Sequence, residues 1–455
     1  MSVVAVIDRY FPQWLRQIYH RVKYPQELAE VHEVVALLDQ YGAGSTDWIP
    51  SFQQKKLGAL VEYAARYCPY YQRLFTYHNV RGLSDWANIP CLTKALIREN
   101  YRELVSNCVD QIHHGKCNTG GSTGEPLEFL STALCSFIDV VHQKFQFRTM
   151  GMSPNDLVVS FDGVSVSPSR RKRGRFWIDF SKNAPYGSRS YSALYFNDEN
   201  APKYINEIQR TRPVFLRGYP SFLSALANYC EKHDTSMPQS IKGVELTAEI
   251  AYDFQVEKIK KIFKSPVYFQ YGHTETCVFA YTLDETYEYF CSPVYGLVEI
   301  LDDNQRPVAI GETGRVVATS FYNRAMPFIR YDTGDTAVYG GVRNGAVVLQ
   351  KIVGRTQDYV IGSDRQKIPI TGIVFGLHYK AFRNIAKWQI VQNVPGEIVF
   401  TIKKGVEYSD EDEEEISEIF MSQANVHSSF RYVEDFDGMT PRGKFRFFIQ
   451  NCSEN

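Results

Sequence analysis

The sequence predicts an α/β protein: a large N-terminal domain of β-sheets flanked by helices, followed by a small α+β C-terminal domain. Three observations lead there. From Asp156 onward, strand-like segments (DLVVSFDG, RPVFLRGYP, SPVYFQYG, GLVEIL, TGRVVATSF, AVVLQKIVG) alternate with helical ones, notably Ser221–Lys232 and Tyr252–Phe263. Such alternation implies at least one largely parallel sheet. After Gly354 the composition turns polar and closes on a short strand-like segment, FRFFIQ. The chain, at 455 residues, is long enough for more than one core.

The elements follow in order. A helical leading part spans about 1–110. Within it, Gln26 to Asp39 and Phe52 to Arg73 carry apolar residues at helical spacing, and a further helical stretch runs from Thr93 to Leu104. A long helix is expected from about Ala133 to Met150, closed by Pro154. The domains are read as 1–353, a hinge at 354–358, and 359–455. Two charge runs interrupt the pattern: a basic one (Arg170, Arg171, Lys172, Arg173, Arg175) and an acidic one from Asp410 to Glu415. Both read as solvated loops or helix starts. The basic run could alternatively hold a phosphate-bearing cosubstrate.

Bulk properties exclude several classes. Hydrophobic residues are 44% and charged residues 22%, so the chain is neither disordered nor fibrous. A formal charge of -1 gives no field that would gather nucleic acid or an anionic membrane. The nine cysteines contain no CxxC pair and suggest a reducing compartment. No stretch approaches the roughly 20 apolar residues of a membrane span, and the N-terminus has no secretory pattern. The expectation is a cytoplasmic protein of undetermined oligomeric state. Aromatic residues reach 14%, which serves core packing and suits a flat ligand as well.

The chemistry-bearing residues fall in five places. Asn118 is followed by Thr119, Gly120, Gly121, Ser122, Thr123 and Gly124. Its glycines let backbone amides approach an anion while its hydroxyls add donors. It is neither a Walker A loop nor a GxGxxG fingerprint; taken singly, such a loop is as often a linker. Tyr271, Gly272, His273, Thr274 and Glu275 follow the strand-like VYFQ, at a strand's carboxyl end, where open α/β sheets bind ligands. A ring there can stack on a base, a hydroxyl can reach a phosphate and a carboxylate can hold Mg²⁺. Then come RYDTGD, ending in Asp335, and GRTQD, with Arg355, Gln357 and Asp358; Lys444 lies in PRGK near the C-terminus. Taken alone, Tyr271 and Asp335 are ordinary core or turn residues, and Lys444 an ordinary surface cation.

The ordered set TGGSTGEP, YGHTE, RYDTGD, GRTQD and PRGK resembles the adenylate-forming superfamily of acyl-CoA synthetases, peptide-synthetase adenylation domains and luciferases. CPYYQRLF, IPCLTKALIREN and RGYPSFLSALANYC are similar to the phenylacetate–coenzyme A ligase branch, within it to CapK-like members linked to surface-polysaccharide biosynthesis. The resemblance runs from about Trp48 to Ile449. It implies that the Thr119–Gly124 loop cradles the β- and γ-phosphates of ATP and that Glu249 lies on the adenine-side loop. It implies further that Tyr271 stacks on adenine, Thr274 contacts the α-phosphate and Glu275 ligates Mg²⁺. Asp335, assisted by Arg355, would bind the ribose, and Lys444, on a mobile C-terminal domain, would bridge the substrate carboxylate and the α-phosphate. The implied activity is adenylation of a small carboxylic acid (aryl, amino or similar), then transfer to coenzyme A, an amine or a hydroxyl; a non-catalytic nucleotide-binding homologue is the alternative from another class.

The chain departs from the family at the hinge, where Gln357 replaces the usual Asp or Lys. Ile361–Ile368 also lacks the glycine-rich loop of dedicated acyl-CoA synthetases. Both put coenzyme A use in question without touching adenylation. His273, Cys277 and Cys291 lack the compact four-ligand spacing of zinc, so zinc is not expected. His273 is assigned instead to the acyl pocket, with the neighbourhoods of Phe161, Tyr219 and Thr247.

Overall fold

Prolines punctuate the helical leading part. In the computed structural model, which describes residues 22–119, 127–153, 156–180, 187–355, 359–370, 373, 381–436 and 445–452, helix α1 spans Pro25–Gly42, α2 Ile49–Tyr67 and α3 Pro69–Tyr77. The single helix expected over Phe52–Arg73 is thus two. Cys68 is extended (φ -115°, ψ 109°), as a residue before proline tends to be, and Pro69 restarts the helix where its missing N–H is not needed. The stretch Thr93–Leu104 also divides, into α4 (Lys94–Glu99), capped by the Thr93 hydroxyl, and α5 (Tyr101–Leu104).

Strands β1 (His114–Asn118) and β2 (Glu128–Thr132) pair antiparallel with Asn118 opposite Glu128, so the glycine-rich segment connects a hairpin. Its ends are tied twice: Thr119 N–H donates to Leu127 O (3.0 Å), and Leu127 N–H to Thr119 Oγ1 (2.9 Å). Helix α6 (Ala133–Thr149) follows directly, capped by Thr132.

Among the described residues the main sheet has twelve strands. Five are parallel neighbours: β3 (Val158–Asp162), β5 (Arg189–Ser192), β6 (Phe215–Gly218), β7 (Gly243–Thr247) and β8 (Val267–Gly272), in the spatial order β8-β7-β6-β3-β5. β4 (Trp177–Asp179) closes one edge antiparallel. Beyond β8 the sheet continues antiparallel through β9 (Phe279–Thr282), β10 (Tyr289–Cys291), β14 (Ala346–Arg355), β13 (Tyr331–Arg343), β12 (Thr313–Ser320) and β11 (Gly296–Leu301). The expected largely parallel sheet is therefore mixed: parallel among the strands joined by helical crossovers, antiparallel where the strands from β9 to β14 follow one another without an intervening helix. The basic run forms a short helix α7 (Pro168–Lys172), with Arg171 lying 4.7 Å over the Tyr195 ring. Helices α8 (Ala201–Thr211), α9 (Pro220–Lys232) and α10 (Asp253–Phe263) complete the crossovers of the parallel strands.

The smaller α+β part has a hairpin, β15 (Tyr359–Ile361) with β16 (Lys367–Pro369), and the short helix α11 (Ala381–Asn384). Its four-stranded sheet runs in the order β19 (His427–Tyr432), β18 (Glu397–Lys404), β17 (Ile385–Val394), β20 (Phe448–Gln450). The acidic run starts α12 (Asp410–Ala424), where carboxylates meet the positive end of the helix dipole; Asp412 accepts from Ser409 N–H at 2.8 Å. An aromatic contact joins the two parts. Tyr252, at the start of α10, stacks 5.8 Å from Trp388 and meets Phe447 edge-on at 4.9 Å. Among the described residues no helix is long and apolar enough to cross a membrane.

Candidate active site at the carboxyl end of the parallel strands

The turn after β8 brings the site together. Gly272 is required where it stands, because a Cβ there would come within 2.8 Å of the Gln270 side chain and 3.0 Å of Val278 O. The chain then turns through His273–Thr276, closed by Thr276 N–H donating to His273 O (3.1 Å). Thr276 takes a left-handed backbone (φ 55°), rare for a β-branched residue. Tyr271 donates its hydroxyl to Asp335 Oδ2 (2.8 Å), and Tyr331 donates to Oε1 of the buried Glu275 (2.7 Å). Burial, and then the neighbouring carboxylate, hold both phenols well above their ordinary pKa, so each stays a protonated donor. His273 lies between these pairs, edge-on to Tyr271 (5.9 Å) and Tyr331 (6.4 Å). Its Nδ1 is 3.8 Å from Glu275 Oε2. Thr274 is exposed at the tip of the turn.

The RYDTGD segment divides by task. Arg330 is 3% exposed, makes two 3.2 Å contacts with Glu299 and donates to Ile89 O (2.5 Å). Asp332 pairs with Arg315 (2.6 Å) and accepts Gly334 N–H (3.0 Å). Asp335 points to the strand-end cluster through Tyr271 and sits directly opposite Arg355, whose backbone pairs with it across β13 and β14. Lys94 brings its Nζ to 3.7 Å from where a Cβ on Gly334 would be. Tyr331 and Lys94 were both within reach of the sequence, one inside RYDTGD and the other inside LTKAL, but neither spacing reveals its partner.

Glu249 lies just past β7, after Ala248 in a left-handed conformation (φ 68°). Its carboxylate accepts Ser221 N–H at the start of α9 and Phe445 N–H, both at 3.1 Å. It thus ties the large domain to the residue that follows Lys444. Lys444 itself, Gly120, Gly121, Ser122, Thr123 and Gly124, and the hinge residues Gln357 and Asp358 lie outside the described residues.

Lys387 on β17 joins this contact, its Nζ 4.0 Å from the Phe445 ring centroid. Burial, only partly offset by Asp435 and Glu249 and reinforced by Lys403, lowers its pKa from 10.5 to about 8. The unfolded chain holds that proton up to about 10.5 and the folded chain releases it near 8, so stability rises with pH across that window. Lys387→Met is expected to raise the melting temperature at pH 7, with the gain shrinking as the pH climbs from 8 towards 10; calorimetry at stepped pH checks it. Nothing in the sequence marks Lys387, which reads as an ordinary polar residue on an alternating strand.

The pocket residues are less uniform. Phe161 has a fully buried ring, stacked 5.0 Å from both Tyr191 and Phe222. Tyr219 sits at the end of β6, its hydroxyl pushed up to about 12 by burial and by the Asp162 and Glu249 carboxylates. Thr247 ends β7 and spends its hydroxyl on Gln270 Oε1 (2.5 Å).

Among the described residues no group of three or more His, Cys, Asp or Glu is arranged to hold a metal by itself. Cys277 and Cys291 are buried, and burial raises both thiols. Glu275 presents Oε2 beside His273, with Oε1 already bonded. A lone carboxylate of this kind fits Mg²⁺, which takes one or two carboxylates plus substrate phosphates rather than a full protein cage.

No family model matches the chain. It is 23% identical over 415 residues to protein CapK of Staphylococcus aureus, covering 88% of both chains. A phenylacetate-coenzyme A ligase of Thermus thermophilus is 24% identical over 341 residues (68% of this chain, 71% of that one), and one of Escherichia coli is 23% identical over 350 residues (71% and 75%). Among solved structures, 2-hydroxyisobutyryl-CoA ligase in its postadenylation state, bound to 2-HIB-AMP, superposes with a TM-score of 0.68 at 16% identity, over 90% of each chain. An acyl acid amido synthetase gives 0.59 at 14% identity, over 88% of this chain and 89% of that one. The structural likenesses establish a common fold. The similarity to CapK over 88% of each chain, and to the phenylacetate-coenzyme A ligases over about 70% of this one, agrees with the resemblance carried by the ordered motifs.

Proposed function

We propose that the protein is an ATP-dependent, AMP-forming ligase that activates a small carboxylic acid as its acyl-adenylate. The observation that carries this reading is the convergence of two distant motifs at one strand end: Tyr271 on Asp335 at 2.8 Å and Tyr331 on Glu275 at 2.7 Å. In this reading Tyr271 lies against adenine, and Asp335, with Arg355, takes the ribose hydroxyls. Thr274 contacts the α-phosphate, and Thr119, Gly120, Gly121, Ser122, Thr123 and Gly124 hold the outer phosphates. Glu275 is the protein ligand for Mg²⁺, which when bound supplies positive charge against the triphosphate. Lys444 bridges the acid's carboxylate and the α-phosphate. An oxygen of the acid attacks the α-phosphorus, the bond to the β-phosphate breaks, and pyrophosphate leaves. Two anions approach each other in that step, so a cation fixed beside them lowers the barrier. His273, Tyr219 and Thr247 belong to the acid-binding side.

An acceptor then attacks the acyl carbon and releases AMP. We propose an amine or hydroxyl acceptor, supported by Gln357 at the hinge and by an Ile361–Ile368 segment without a glycine-rich loop. Coenzyme A is the second reading, favoured by the names of the phenylacetate ligase relatives and by the basic residues Arg170, Arg171 and Lys172 of helix α7 with Arg173 beyond it.

With Mg²⁺ and a cognate acid, the enzyme is expected to exchange labelled pyrophosphate into ATP and to yield AMP. Products of ADP and phosphate would sink the adenylate reading. Mass spectrometry with coenzyme A, amino sugars and amino acids offered in parallel separates the acceptors.

A further inference from the structure

Among the described residues, two histidines are sealed beside aromatic rings, and the fold treats them differently. His142, on α6, is fully buried and both its nitrogens are partnered: Nδ1 with Ile138 O at 2.8 Å, Nε2 with Ser292 Oγ at 3.0 Å. His273 is nearly as enclosed, its side chain 14% exposed. Yet both of its ring nitrogens are sealed from solvent without a hydrogen-bond partner among the described residues. Glu275 Oε2, at 3.8 Å, is too far to be one. The flanking hydroxyls of Tyr271 and Tyr331 donate to Asp335 and Glu275, and neither makes a hydrogen bond to the ring. A buried polar group left unpaired costs about 1–3 kcal/mol, and native structures keep few of them. His142 shows that this fold satisfies a histidine that is merely structural.

The missing partner is therefore supplied by a ligand. The proposed function, on which this step rests, commits Asp335 to the ribose and Thr274 and Glu275 to the phosphate and metal, which leaves the acid opposite His273. We infer that His273 is a specificity-determining residue, and that the acid carries a hydroxyl or amino group close to its carboxylate. Neutral imidazole offers one N–H donor and one acceptor, which such a substituent complements; a hydrocarbon acid would leave both nitrogens unpaired. Sites built to hydrogen-bond a substrate group reject the analogue lacking it far more strongly than apolar pockets reject a missing methylene.

The test measures acid-dependent ATP–pyrophosphate exchange with matched acids: lactate and alanine against propionate, mandelate and phenylglycine against phenylacetate, salicylate and anthranilate against benzoate. In the best pair the substituted acid should lead in kcat/KM by about 100-fold or more, and His273→Phe should reduce that ratio to within about fivefold. An unsubstituted acid that matches its partner would overturn the inference. So would a His273→Phe variant that slows all acids equally and raises the KM for ATP, which would assign His273 to the nucleotide. Thermal unfolding of ligand-free protein gives a second, substrate-independent measurement. His273→Phe should melt at or above the wild-type temperature, whereas a lower one would mean that the nitrogens have structural partners. If no acid supports exchange, the adenylation reading fails, and the unfolding comparison still decides whether His273 is satisfied without a ligand.

Discussion

Lys444→Ala is expected to lower acid-dependent pyrophosphate exchange by about 100-fold or more while leaving ATP affinity nearly unchanged, because its charge acts on the transition state rather than on the bound nucleotide. The nucleotide contacts proposed for Tyr271, Asp335 and the Thr119–Gly124 loop all lie in the large domain and remain in the variant. The link between the domains also survives, since Glu249 bonds to the backbone N–H of Phe445 and not to a side chain at 444. The measurements are exchange kinetics at saturating acid and equilibrium binding of ATP. Exchange at the wild-type rate would remove Lys444 from the mechanism. Loss of ATP affinity with unchanged turnover would make it a binding residue instead.

Arg330→Ala should produce the largest loss of stability, about 3 kcal/mol, because it empties a buried site and leaves the half-buried Glu299 carboxylate without its cation. The Arg330 guanidinium is nearly inaccessible and bridges Glu299 to the carbonyl of Ile89, joining the leading helical part to the main sheet. Among the described residues, Glu299 would keep the indole N–H of Trp86 at 3.3 Å. Five residues away, Asp335→Ala should chiefly weaken nucleotide binding, with a smaller loss of stability from the Tyr271 hydroxyl it leaves without its acceptor. Urea unfolding and nucleotide titration on both variants check the contrast. If Arg330→Ala kept its midpoint while Asp335→Ala lost its own, the division of RYDTGD into a structural half and a binding half would be reversed.

That division separates what is local in this chain from what is not. Proline and glycine act through their own backbone, so the start of α3 at Pro69 and the hairpin around the glycine-rich loop follow from nearby residues. Alternation and helical spacing likewise mark the strands and helices from β3 onward, since they record which face of an element is buried. They do not record which neighbour buries it. The helix expected over Phe52–Arg73 fails at Cys68 because a pre-proline restriction outweighed a continuous apolar stripe. The expected parallel sheet becomes mixed because strand order depends on how connections close, not on strand composition.

By itself, the sequence determined the α/β class, the order of the motifs and the residue types able to handle a nucleotide, a metal and an acid. Only the tertiary structure decided which of them meet. Tyr271 and Asp335 lie 64 positions apart and meet only in the fold, Tyr271 near the end of β8 and Asp335 near the start of β13. Phe161 belongs to the core because Tyr191 and Phe222 close over it. Glu249 reaches the residue after Lys444, 196 positions away, because Tyr252 docks the small domain beside it. A side chain's chemistry is carried in one letter, but its solvation, its partners and hence its role depend on register and packing between segments that are distant along the chain.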